Sequence, residues 1–165
     1  MTAASEPIGV LFVCLGNICR SPTAHGVFAE RVERAGLAGA IRVDSAGTGD
    51  WHLGLPPDPR TQRAARERGY DLEHLRARQV ALADFRNFSY ILAMDNTNLR
   101  NLERLRPNWY CGELDLFLRA GGYSGALEVP DPYEGDARDF EQVLDLAEVA
   151  ADGLLAAIRT RHLLA

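Results

Sequence analysis

Apolar and polar positions follow two rhythms along this chain, and each change of rhythm marks an element. Ile8 to Val13 is short, rich in β-branched residues and almost wholly apolar, the pattern of a parallel strand covered on both faces. After a short loop, Ser21-Pro22 reads as N-cap and first helical residue, since a hydroxyl can accept an orphan amide and proline has none to satisfy. Ala24, Val27, Phe28 and Val32 recur at helical spacing as far as Gly36, which predicts a helix with one face against a sheet. Ile41 to Ala46 alternates as a second strand. Asp58-Pro59 predicts the cap and first turn of a helix ending near Gly69, and Phe88 to Met94 predicts a third strand. Asp95 then caps a helix carrying Leu99, Leu102 and Leu105, and Glu113 to Leu118 predicts a fourth strand. Phe140, Val143, Leu144, Ala147, Leu154, Leu155 and Ile158 mark a long amphipathic C-terminal helix.

Strand and helix in alternation predict an α/β, single-domain, doubly wound four-stranded parallel sheet with helices on both faces and a ligand crevice at the carboxyl ends of the strands. The domain is expected over residues 8–165, with a flexible N-terminal segment over residues 1–7. A length of 165 residues suits one full core, and 47% hydrophobic with 25% charged residues is the composition of an ordinary soluble domain. No apolar run approaches the ~20 residues of a membrane span. Met1 to Pro7 lacks the basic and apolar regions of a signal peptide, so the expected location is the cytoplasm.

A net charge of −5 disfavours nucleic acid as a partner. All 18 basic residues are arginine. The absence of lysine excludes Schiff-base chemistry and the lysine of a nucleotide-binding Walker loop, and leaves arginine as the cation available to a phosphate. Cys14, Cys19 and Cys111 form no even framework and no Cys-x2-Cys pair, and His25, His52, His74 and His162 are scattered singly. Neither a metal nor a cofactor is expected.

The chemistry gathers between the first strand and the first helix. Cys14 begins that loop and Arg20 closes it, so a thiol stands at the foot of a ring of backbone amides and a guanidinium at the rim, over a helix N-terminus. The amides, the helix dipole and Arg20 favour a thiolate at Cys14, and the planar fork of Arg20 can hold two oxygens of a phosphate. Ser21 can hydrogen-bond the sulfur, and Ser45, at the turn ending the second strand, can support the loop. Trp51, on an irregular loop, can wall an aromatic ring. The segment from Ala120 to Glu134 is a long loop in which prolines flank Asp131 and restrict its backbone, which by itself reads as an ordinary turn aspartate or as a carboxylate held in place for general acid work.

Cys14-Leu15-Gly16-Asn17-Ile18-Cys19-Arg20-Ser21-Pro22 resembles the signature loop of the low-molecular-weight protein tyrosine phosphatases. Asp44-Ser45-Ala46-Gly47-Thr48, Trp51, Asp58-Pro59-Arg60, His74, Ala77-Arg78-Gln79-Val80, Met94-Asp95 and Asp131-Pro132-Tyr133 follow in that family's order. The resemblance implies metal-independent hydrolysis of phosphotyrosine through a phosphocysteine. Cys14 is then the nucleophile, Arg20 the phosphate clamp and Asp131 the acid and base. Leu15, Gly16, Asn17, Ile18, Cys19 and Ser21 hold the phosphate, while Trp51 and Tyr133 hold the ring. The resemblance also implies that His74 joins Asn17 and Ser45 in supporting the loop. Where the family usually has a second tyrosine, Glu134 makes the rim more acidic. The expected partners are phosphotyrosine-bearing proteins, with no nucleic acid and no membrane, the chain acting as a monomer or a weakly self-associating protein.

Cys19 has two readings. It is a small apolar filler under the loop, or it is the thiol that condenses with an oxidised Cys14, a pairing the resemblance supports. An arsenate reductase on the same fold needs two further cysteines a few residues apart, and Cys111 stands alone. A protein-arginine phosphatase carries threonine where this chain has Ile18. A binding module without turnover has no use for Cys14, Arg20 and Asp131 together.

Overall fold

The computed structural model describes residues 6–165, and its first strand, β1 (Ile8–Cys14), is buried along nearly its whole length. The reason is its place in the sheet. Four parallel strands lie in the order β2-β1-β3-β4, with β2 at Ile41–Gly47, β3 at Tyr90–Ala93 and β4 at Glu113–Leu116. β1 is therefore an interior strand, and a strand covered on both faces carries apolar residues at every position. Its odd and even positions serve different cores. Val10, Phe12 and Cys14 face the helices α1 (Arg20–Arg34) and α6 (Ala137–Arg161), whereas Leu11 and Val13 face the layer holding Phe85, Leu99 and Leu102. Phe12 sits edge-on between two rings, 5.5 Å from Phe28 and 5.0 Å from Phe117 between centroids.

The doubly wound sheet agrees with the sequence pattern, and several boundaries move. α1 starts at Arg20, with Cys19 in the cap position and no side-chain cap, because the Ser21 hydroxyl turns inward instead. The third strand is shorter than expected because a helical turn, α3 (Asp84–Asn87), ends at Phe88, whose carbonyl accepts from the Tyr110 hydroxyl. The fourth strand stops at Leu116. Phe117 and Leu118 are both buried in the same core, which a strand's alternation cannot deliver and the short helix α5 (Phe117–Ala120) does. α2 (Pro59–Glu67) and α4 (Asn96–Leu105) begin at the predicted caps, with Asp58 accepting from Arg60 N and Asp95 from Asn98 N.

Residues 1–5, most of the expected flexible segment, lie outside the described residues; Glu6 and Pro7 are exposed and without regular structure. Among the described residues no helix is long and apolar enough to cross a membrane.

Phe12 is fully buried at the junction of β1, α1 and α5. Phe12→Ala should cost about 3–5 kcal/mol of unfolding free energy in urea titration, the range for a large ring removed from a packed core. A loss below about 1 kcal/mol, the range of a surface substitution, would place the ring outside the core.

Candidate active site

β1 delivers Cys14 to the carboxyl end of the sheet and α1 starts at Arg20, so the chain must cross between them in a tight bend. The bend is made by Asn17, a non-glycine residue at φ 57°. Its backbone N–H donates to Cys14 Sγ at 3.3 Å, its Nδ2 donates to Ser21 Oγ at 2.7 Å, and its Oδ1 accepts from Arg78 N at 3.0 Å. Ser21 Oγ lies 3.0 Å from Cys14 Sγ and 3.4 Å from the Ala46 carbonyl. With Asn17 donating to that hydroxyl, Ser21's own proton is left for the sulfur or the carbonyl, and the sulfur is the nearer. A thiolate at Cys14 thus has two donors in place. The N–H groups of Gly16, Ile18 and Cys19 have no protein acceptor among the described residues, as expected of a loop built to hold an oxyanion.

Arg20 is only 4% exposed. Nη1 donates to Asp95 Oδ2 at 2.7 Å and to the Val129 carbonyl at 3.0 Å, while Nη2 lies 3.9 Å from Asp131 Oδ2. Burial opposes its charge, but the Cys14 sulfur and Asp95 outweigh it and hold its pKa above the ordinary value. The guanidinium is therefore permanently charged and aimed. Asp95 serves twice, Oδ2 to Arg20 and Oδ1 to the amide of Asn98 in α4. Val129 N donates to the Met94 carbonyl at 2.8 Å, which pins the long loop two residues ahead of Asp131. Asp131 itself is half exposed and accepts from Tyr133 N.

These groups share a cavity of about 250 Å³. Cys14, Cys19 and Arg20 lie at its base with Leu15, Gly16 and Ile18, and Asp131, Trp51 and Tyr133 rise around the opening. Trp51 is 67% exposed and Tyr133 48%, so each offers an unoccupied ring face. Burial pushes the Cys19 thiol up to about 12, so it stays protonated. Asn17 and Ser21 are buried under the loop and brace it from below.

One expected placement is corrected. His74 is exposed, and the imidazole that meets Ser45 Oγ, at 3.0 Å, belongs to His25 on α1. Helical spacing puts His25 one position after the apolar Ala24, on the flank facing β2, a signal a lone histidine in the sequence does not announce. Burial, with His74 and Arg78 nearby and only Asp44 opposing, drops His25 to about 4. Sequence reasoning also passed over His52, which lines the cavity, and the second role of Asp95. His52 follows Trp51 directly, and that adjacency was the available signal.

The family model described as low molecular weight phosphotyrosine protein phosphatase matches residues 9–163. A low molecular weight protein-tyrosine-phosphatase of Streptomyces coelicolor is 46% identical over 153 residues, covering 91% of this chain and 93% of its own. A low molecular weight phosphotyrosine protein phosphatase of Schizosaccharomyces pombe is 47% identical over 137 residues, covering 82% and 87%. The solved structure of YfkJ from Bacillus subtilis superposes with a TM-score of 0.89 at 39% identity, covering 96% of this chain and 99% of that one.

His25 gives the fold a pH dependence with a definite sign. Its ordinary value is 6.5 and its folded value about 4, so between those limits the unfolded chain binds a proton that the folded one refuses. Stability is full above 6.5 and is lost as pH falls toward 4. The drop in unfolding free energy from pH 7 to pH 4.5 should be smaller by about 2 kcal/mol in His25→Gln than in the native chain. Equal drops in urea titrations of the two proteins would remove His25 from this role.

Proposed function

The chain belongs to the low molecular weight phosphotyrosine protein phosphatase family, and on that premise we propose that it hydrolyses phosphotyrosine in protein substrates, and small aryl phosphates, through a phosphocysteine. The observation that carries this reading is the pairing of a sulfur holding two hydrogen-bond donors with a buried, oriented guanidinium in one aromatic-walled cavity.

Cys14 Sγ attacks phosphorus, and the S–P bond forms as the P–O bond to the phenol breaks. Arg20 and the loop amides bear the charge on the equatorial oxygens throughout, since a planar fork can follow them as the phosphoryl group flattens. Asp131, on the open side of the cavity, protonates the departing phenolate. Water then attacks the phosphocysteine, Asp131 takes its proton, and inorganic phosphate leaves as the S–P bond breaks. Ser21, donating to the sulfur, eases its departure as a thiolate. Trp51 and Tyr133 sandwich the ring, and a slot with such walls favours phosphotyrosine over shorter phosphoserine. Asn17 and Ser21 brace the loop, while Ser45 pairs with His25 on α1.

Cys19, held as a thiol by burial, does not compete with Cys14 for phosphorus. Both thiols are free and both line the cavity. Oxidation of Cys14 by peroxide yields a sulfenic acid, and its condensation with the Cys19 S–H, releasing water, gives a disulfide that shields the nucleophile from further oxidation. Cys111 lies just ahead of β4, toward the amino ends of the strands and away from Cys14 at the carboxyl end of β1, so the redox relay of an arsenate reductase has no third thiol.

With p-nitrophenyl phosphate and a chelator present, the native protein should show a burst of p-nitrophenol followed by steady turnover. Cys14→Ser should keep the fold and show neither. Steady hydrolysis by a folded Cys14→Ser protein would sink the assignment of the nucleophile.

Asp131→Asn should slow phosphotyrosine turnover by roughly 10²–10⁴ and p-nitrophenyl phosphate turnover less, because the better leaving group needs less protonation. An equal loss on both substrates would take the acid role from Asp131.

A further inference from the structure

Two rings beside the slot, Trp51 and His52, rest on glycines. Trp51 does not project freely from its loop. Its indole folds back over Gly49, so closely that a Cβ there would stand 1.9 Å from Cζ3 and 2.3 Å from Cε3. Gly49 is in turn tied to the phosphate loop, its N–H donating to the Leu15 carbonyl at 2.9 Å beside the bond from Thr48 N to the Cys14 carbonyl. The ring is thereby indexed to the nucleophile through a short chain of backbone hydrogen bonds. The neighbouring ring repeats the device. A Cβ on Gly16 would stand 2.9 Å from Cδ2 of His52, the other ring of this loop that lines the cavity. Neither glycine has a left-handed backbone, so conformation does not demand glycine at either position. What demands it is the space the ring occupies.

We propose that Gly49 and Gly16 are positioning residues for the aryl slot: the two missing Cβ atoms let Trp51 and His52 fold down onto the loop, and their depth sets how closely a substrate's ring is held while its phosphate rests on Cys14 and Arg20. This rests on the reading of Trp51 as a ring wall. A methyl at residue 49 lifts the indole by more than an ångström and leaves the backbone bond to Leu15 intact, so it alters grip on the ring and not on the phosphate. The acceptance of aryl over smaller phosphates is then written into the side chains that these two positions lack.

The test is a double-mutant cycle on the intact enzyme. KM and kcat for phosphotyrosine and the inhibition constant of inorganic phosphate are measured for the native protein, Trp51→Ala, Gly49→Ala and the double variant. Trp51→Ala and Gly49→Ala should each raise KM about fivefold, the scale of one aromatic contact, with phosphate inhibition changed less than about twofold. The double variant should match Trp51→Ala alone, because a seat without its ring has nothing to do. In a Trp109→Phe background, Gly49→Ala should also shift the emission of Trp51, the remaining tryptophan. Gly16 lies in the phosphate loop itself, so its arm is read by the cycle alone: Gly16→Ala should raise KM in the native protein and add nothing to His52→Ala.

Additive effects of Gly49→Ala and Trp51→Ala would overturn the seat. So would a matching rise in the phosphate inhibition constant, which would place the effect in the phosphate loop. An unchanged KM in Trp51→Ala alone would instead bring down the ring-wall reading beneath it. Unfolding midpoints within about 4 °C of the native protein keep these outcomes apart from a folding defect.

Discussion

A left-handed turn at an asparagine is what this site depends on. A non-glycine residue at positive φ is held only where its surroundings over-determine it, and Asn17 is held on three sides at once. Its backbone N–H answers to the sulfur, its amide nitrogen to Ser21 and its amide oxygen to the backbone of Arg78. That last bond reaches a segment that is itself locked: the Arg78 carbonyl accepts from Gly47 N, and its guanidinium spans Asp44 and the buried Asp84. Removing any one of these frees a buried polar group to compete for the others, which is why a single bend can present a row of amides to one point in space.

Legibility in the sequence followed burial. β1 could be read because an interior strand has no polar face, and α2 and α4 because their caps, Asp58 and Asp95, are local in sequence. The errors lie where a neighbour decides. Ser21-Pro22 has the form of a helix start, yet the serine is captured by Cys14 and Asn17 from across the loop, and the helix begins two residues sooner. Glu113 to Leu118 has the composition of a strand, but Phe117 and Leu118 bury together under α6. At the site, Cys14 and Arg20 were visible from spacing. Asp95 hid behind its own correct assignment as a cap, and His25 could not be preferred over His74 without knowing which helix face meets β2.

The all-arginine composition settles how the field at the site is made. Several other arginines are already paired: Arg60 grips Asp58 and lies over Tyr133 and Phe140, and Arg68 reaches Glu141, Asp145 and Glu148. Arg31 and Tyr70 join the same cluster and tie α1 to α6. These residues build the scaffold and lend little long-range attraction. Arg20 too has a counter-charge in Asp95, so an incoming dianion meets a local arrangement of donors, the loop amides, the α1 terminus and one fork, instead of a broad positive surface. Such a site selects by geometry at contact.

The tether at Val129 divides the long loop into two spans with different freedoms. The inner anchor carries a carbonyl that Arg20 needs and an amide that Met94 needs, so it tolerates little change. Beyond it, residues 133 to 136 are exposed. Substitutions at residues 134 to 136 therefore leave both bonds at Val129 in place. The tether at Val129 thus insulates the seat of the guanidinium from whatever chemistry the rim of the loop carries.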